Sequence, residues 1–382
     1  MGFNQVILWI MAIGAVIGGI DFILGNKFGL GAKFEEGLNN MGPLAIGMVG
    51  ILCLAPAIAG WIGPVITPFF TAIGIDPSVI ASLFSCDMGG YPLGVSLAAD
   101  ANMGLYNGMI VASMLGCAIT FIIPVGLSMI EKYDQPFFAK GVLIGLITVP
   151  FGSFVGGLAA GYDVKALLIN TIPVLIISIL LALGIRFIPT GMIKGCTVFG
   201  KIISTIVTIG LIAAGFEYLT GVVVIPGMDD VITSMGVIGS VAVVLMGTLP
   251  VMTILLKVLD KPLKALGAKT GMNSTSIAGL IIDLANGVPV YVMYKDMDPR
   301  GKVLNIATMV PIACILGDHL AFCAGVEQEL ITPLIIGKLV GGIIALVLGF
   351  LMTKDLSSES AQSAKIRERL EAAAQAEAAK AE

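Results

Sequence analysis

Charge is scarce in this chain. Of its 382 residues only 12% are Asp, Glu, Lys or Arg and 57% are hydrophobic, against a charged share of roughly 25% in soluble domains. With a mean hydropathy of +1.02, a soluble globular fold is excluded and a lipid bilayer is the expected solvent. Histidine occurs once. Six cysteines (Cys53, Cys86, Cys117, Cys196, Cys314, Cys323) sit mostly inside apolar runs, in no CxxC or Cys/His spacing, so neither a disulfide framework nor a zinc site is indicated. No cofactor or metal motif is present, and the short alternating strands of a membrane barrel are missing. The scattered basic residues, with a net charge of -4, make no patch of the kind nucleic acid requires. The opening MGFNQVILWI lacks a basic region and a cleavage pattern, and Val6 spoils a myristoylation motif at Gly2, so the first apolar run is expected to stay as a helix.

What is present is a succession of apolar runs of membrane-spanning length. Nine are uninterrupted, near 5–25, 42–64, 104–130, 137–160, 165–187, 202–224, 237–258, 303–326 and 331–353. Two more, 77–99 (PSVIASLFSCDMGGYPLGVSLAA) and 274–296 (STSIAGLIIDLANGVPVYVMYKD), are broken near the middle by glycine and proline.

The second half repeats the first. Adding 197 carries Gly42 onto Gly239, Gly50 onto Gly247, Gly90 onto Gly287, Pro92 onto Pro289, Gly104 onto Gly301 and Cys117 onto Cys314, and both copies carry a broken segment at the same place. Basic residues favour the cytoplasmic side of short loops. If both broken segments fold back as re-entrant hairpins, 19 of the 21 basic residues fall on one face, Lys338 lies inside a span and only Lys165 is left opposite. The expected fold is therefore an all-α polytopic membrane protein of two inverted repeats, each with a re-entrant helical hairpin, with about nine transmembrane helices plus two hairpins. The divisions are 1–160 (first repeat), 161–201 (linking helix and cytoplasmic loop), 202–353 (second repeat) and 354–382 (cytoplasmic tail), with the N-terminus outside. Small-residue clusters at 152–161 and 337–342 suit close helix packing, within the protomer or at a homodimer seam.

Inversion brings the two hairpin tips, 86–90 and 283–287, together near the bilayer midplane, where carriers of this architecture bind substrate. Each tip holds a carboxylate, Asp87 and Asp283, at a cost of roughly 2.5 to 3.5 kcal/mol that a cationic ligand would offset. Gly89, Gly90 and Gly287 let backbone approach a small ligand, and Asn286 can both donate and accept. Tyr91, Tyr106, Tyr291 and Tyr294 could offer a ring face to a cation. The plainer reading has the two aspartates capping half-helices or pairing with lysine. Asp318 and His319, in ILGDHLAF, suit a proton relay or a ligand set, and equally a satisfied helix-helix hydrogen bond. Asp21 and Glu217 read as interfacial, the run MYKDMDPRGK (293–302) as a solvated turn, and Lys338 as either neutralising a buried carboxylate or snorkelling.

Several motifs in one order, CDMGG (86–90), LAN followed by Pro289 (284–289), MD-x-RGKV (297–303) and LGDH (316–319), resemble the ethanolamine utilisation transporter family, EutH, from the start of the chain to about residue 353. The resemblance implies a permease of the bacterial inner membrane that brings in ethanolamine for catabolism, not an enzyme. It places Asp87 and Asp318 in shared motifs and leaves Asp283 outside them. The expected site holds the ammonium on Asp87 and Asp318 and the hydroxyl on Asn286 and tip backbone, with ethanolamine and membrane lipid as expected partners beside the homodimer already named. The rival expectations are a proton- or sodium-coupled carrier for another small polar solute such as a nucleoside, an intramembrane aspartyl protease, which the missing GxGD pattern argues against, and a sensing receptor.

Overall fold

A computed structural model describes residues 2–83, 88–356, 368 and 372, with backbone alone at 189, 190, 193, 260, 263, 264 and 266–269. Asp87 and Cys86 lie outside the described residues, as does nearly all of the expected tail. Among the described residues the structure is helical throughout, with no strand. The first half runs α1 (Phe3–Ile23), α2 (Leu30–Asn39), α3 (Met41–Ala72), α4 (Gly90–Leu97), α5 (Ala101–Leu105), a wide π-wound stretch in two pieces (Tyr106–Gly116 and Ala118–Ile122), α6 (Ile123–Met129) and α7 (Gln135–Ala159). Then follow α8 (Val164–Phe187), α9 (Pro189–Thr220), α10 (Val231–Thr270), α11 (Ser274–Ile282), α12 (Val288–Met293), α13 (Pro299–Ile312), α14 (Asp318–Val326) and α15 (Ile331–Met352).

Eight stretches among the described residues are long and apolar enough to cross a bilayer. The ninth expected crossing, 303–326, is not one helix. It parts between Ile312 and Asp318 into α13 and α14, where Pro311 withholds a backbone donor and Cys314 adopts a φ of +54°. Large apolar side chains line the outward face of α8, with Leu168, Ile172, Ile176, Ile179 and Leu183 exposed. That spacing makes one continuous stripe, the face a bilayer covers.

Both broken segments start and finish in the same place. The Asp76 carboxylate caps a 3-10 turn (Pro77–Ser82) and also accepts from the backbone N–H groups of Ala99 (3.0 Å) and Asp100 (2.8 Å), where the segment ends. At the second segment the roles reverse. Asp298, at its end, accepts from the Asn273 N–H (2.9 Å), the Ser276 hydroxyl (2.7 Å) and the Gly301 N–H (2.9 Å). Each carboxylate thus satisfies donors that two helix starts would otherwise leave open.

The MYKDMDPRGK run is not simply solvated. Lys302 is buried in an ion pair with Asp134 and lies 5.4 Å from the Tyr133 ring centre and 5.8 Å from that of Tyr294. Arg300 stacks 4.7 Å from the Phe350 ring centre and donates to the Thr270 carbonyl at 2.9 Å. Asp21 is likewise consumed locally, accepting from the N–H groups of Phe28, Leu30 and Gly31.

The small-residue clusters are spent inside the protomer. α7 and α15 meet backbone to backbone: a methyl group added to Gly337 would lie 2.9 Å from the Gly152 carbonyl and 3.0 Å from the Gly156 Cα. The described cysteines, Cys53, Cys117, Cys196, Cys314 and Cys323, are all buried and none is in a disulfide, in keeping with a packing role.

Candidate functional site

Two interruptions of the backbone support each other. The turn after α11, Asp283 to Gly287, exposes carbonyls that no helix satisfies, and the bend between α13 and α14 supplies the donors. Cys314 N–H bonds the Asp283 carbonyl at 3.1 Å, and Leu316 N–H bonds that of Leu284 at 2.8 Å. Gly317 has to be glycine for this contact, because a Cβ there would lie 2.0 Å from the Ala285 carbonyl oxygen. Asn286 accepts from the Val288 N–H at 2.9 Å and so starts α12.

The braced turn forms part of the wall of a cavity of about 430 Å³. Lys33 and Glu36, paired at 2.6 Å, and Asn40 line it, together with Ala285, Asn286, Pro289, Gly317, Asp318, Phe121, Met48 and Leu249. Asn286 and Asp318, both expected at the site, are therefore brought together. Between them they offer an exposed amide and a half-buried carboxylate on otherwise apolar walls, the pattern of a small-ligand pocket with few, placed polar groups.

Other expected site residues lie behind that wall. Asp283 is 1% exposed, its carboxylate lies beside Gly287, and neither oxygen has a hydrogen-bond partner among the described residues. His319 is fully buried, and its backbone N–H donates to the Asp318 carboxylate at 3.0 Å. Lys338 does not snorkel. It is 0% exposed and donates to the carbonyls of Ser113 and Ala313.

A second cavity, of about 300 Å³, lies at the other end of α1, where Asn4 joins Asn102, Tyr162, Glu327, Glu329 and Thr332 in its wall. Among the described residues no basic one lines it. Its negative field is visible in Tyr162, whose phenol is pushed up to about 12 by burial and by the nearby Glu327 charge. Glu327 caps the C-terminal end of α14, the helix that Asp318 begins. Nine residues at 1.5 Å each, about 13 Å, therefore separate an acid in one cavity from an acid in the other. The helix between them is packed solid from His319 to Ala324.

Tyr91 belongs to this second region, its hydroxyl 3.5 Å from Glu327 and its ring edge-on to Phe322. The other tyrosines are tied down, Tyr106 to Thr171, Tyr291 to the Ile122 carbonyl and Tyr294 to that of Lys302. Gly90 packs against Ala81 and Ala112. Gly89 is the residue before α4.

Comparison with known proteins gives this geometry a family. A family model described as "Ethanolamine utilisation protein, EutH" matches residues 3–352. The chain belongs to the EutH family. Among curated EutH relatives, "Probable ethanolamine permease EutH" of Listeria monocytogenes serotype 1/2a (strain 10403S) is 44% identical over 361 residues, covering 94% of this chain and 97% of the relative. The protein of the same name from Escherichia coli (strain K12) is 40% identical over 385 residues, covering 91% and 94%. "Uncharacterized protein YxeR" of Bacillus subtilis (strain 168) is 43% identical over 373 residues, covering 97% and 99%. No solved structure matches. Sequence reasoning passed over Glu327 and Phe121 in this EutH chain. The signal for Glu327 was the VEQEL run, two acids at a helix end between apolar runs; Phe121 had none, as one aromatic in an apolar run.

Proposed function

We propose that this EutH protein takes up protonated ethanolamine across the bacterial plasma membrane by alternating exposure of a site at Asp318 and Asn286. The observation that carries the reading is α14, a nine-residue helix with an acid lining a separate cavity at each end. A primary ammonium is attracted to both ends, and only a short packed plug separates them. Asp318 holds the ammonium, while the Asn286 amide and the carbonyls of the neighbouring turn take the hydroxyl. The names of the relatives support ethanolamine as the cargo.

In this reading the large cavity opens to the cytoplasm, where the basic residues gather, and the acidic cavity opens outside, with the N-terminus outside and the C-terminus within. The two broken segments are re-entrant hairpins of inverted repeats, a view supported by their joined ends at Asp76 and Asp298. It is supported too by Phe121 and Asp318, which stand 197 apart and line one cavity. Asp87 is retained as a ligand from the first tip, by its motif. Uptake of radiolabelled ethanolamine into proteoliposomes tests the assignment. Wild-type protein should give saturable flux, and Asp318→Asn should lower it about tenfold or more, equivalent to about 1.4 kcal/mol, while the protein stays monodisperse. Full flux in an Asp87→Asn, Asp318→Asn double variant would remove the site.

A further inference from the structure

Lys338 stands where three departures from α-helical backbone meet. Its Nζ donates at 3.2 Å to the carbonyl of Ala313, left open where α13 ends, and at 2.9 Å to that of Ser113 in the π-wound stretch. Asp283, in the turn braced by the same bend, is desolvated, and among the described residues the Lys338 ammonium is the opposite charge that acts on it. Cys117, Cys314, Asp283 and Asp318 surround Lys338.

Carbonyls freed at broken helices, together with a buried carboxylate, are the donors with which carriers built on discontinuous helices hold a coupling sodium ion or proton. Here a side chain of the protein supplies the positive charge. We propose that Lys338 is a tethered cation standing in the place of a diffusible coupling ion, so that this carrier moves its ammonium substrate without sodium. The position of the charge is fixed, because Gly337 beside it abuts Gly152 and Gly156 and leaves α15 no slack. The first half holds no second copy of it. The matching residue is Gly141, where even a Cβ would meet Ile306 at 2.7 Å.

The inference rests on the uptake reading, and proteoliposomes of the full chain test the two separately. Wild-type ethanolamine flux should change by less than about twofold when N-methylglucamine replaces sodium on both sides. Lys338→Ala removes the ammonium and its stem while leaving the two carbonyls and Asp283. In N-methylglucamine it should lose flux about tenfold or more, and sodium or methylammonium should restore it to within about threefold of wild type. Such rescue by a diffusible cation is not expected of a side chain that only packs. Three results overturn the proposal: wild-type flux that collapses without sodium, a well-folded Lys338→Ala that transports normally with no small cation, or one that stays inactive in every cation. Should the alanine variant fail to fold, the wild-type sodium substitution decides alone. Wild-type protein with no ethanolamine flux in any medium refutes the uptake reading, and this proposal falls with it.

Discussion

Residues 116–122 and 313–319 are the same place in the two copies of the repeated sequence, and they share one identity, the cysteine at 117 and 314. The first stretch stays a helix by widening. Its winding is of π type on both sides of Cys117, and Thr120 turns its hydroxyl back to the Gly116 carbonyl at 2.9 Å. The second stretch breaks, with Cys314 in the left-handed region and Gly317, opposite Thr120, lying against Ala285. The residues that follow, Phe121 and Asp318, line the same cavity. Lys338 donates to one carbonyl of each stretch's neighbourhood, Ser113 in the widened helix and Ala313 at the break. Only the broken version admits a second chain segment and starts a new helix on an acid.

The largest effect is expected from making the second stretch like the first. Gly317→Thr puts side-chain atoms into the Ala285 carbonyl and should cost about 3 kcal/mol or abolish folding, whereas Thr120→Gly should cost about 1 kcal/mol as a helix-interior glycine. Thermal unfolding in detergent measures both, and equal losses would dissolve the contrast.

A finer test uses the shared cysteine. Cys117→Gly loses buried side chain and helix propensity together, about 2 kcal/mol in all. Cys314→Gly loses the burial but is relieved of the left-handed penalty of about 1 to 2 kcal/mol, and should come out near neutral. The same assay reads the difference.

Next in size is the cavity wall. Phe121→Leu should keep flux within about threefold of wild type, where Asp318→Asn should drop it about tenfold, because in the proposed site only the acid contacts the ammonium. Initial rates against substrate concentration would check this, and comparable losses would mean that the cavity is read by shape alone.

The smallest effect belongs to a site remote from both stretches. Asp230 caps α10, accepting from the Thr233 N–H and hydroxyl, and these bonds hold its carboxyl below the usual carboxylate value. A lowered folded-state value means stability present above the ordinary carboxylate range and lost as pH falls through the folded value. Asp230→Asn should therefore leave the melting temperature nearly unchanged at neutral pH and flatten its decline below about pH 4. A melting curve series across pH measures it.

Much of this architecture is legible in the chain itself, since long apolar runs and paired glycine-proline interruptions announce spans and broken segments. The break at 313–317 is not. Hydropathy averages across a window, and this bend is as apolar as a helix; what makes it possible is donors and acceptors from distant parts of the chain, Asp283 and Lys338 among them. Within the site, Asn286 and Asp318 were readable as polar groups in hydrophobic surroundings. Which of the acids faces water was not, because Asp283 and Asp318 carry the same signal and differ only in the side of the wall they occupy. The depth of Lys338 was hidden for a similar reason: a lysine in a span reads alike whether its stem reaches out or in.

The glycine seam between α7 and α15 sets a limit on how such a carrier can work. Two rods in contact at their main chains, with hydrogen atoms where side chains would be, cannot slide past one another, since any step would drive a side chain into a gap that holds none. In the proposed alternating-exposure cycle they would move as one plate, with Lys338 on it. Any rocking that opens first one mouth and then the other must be taken up at a different joint.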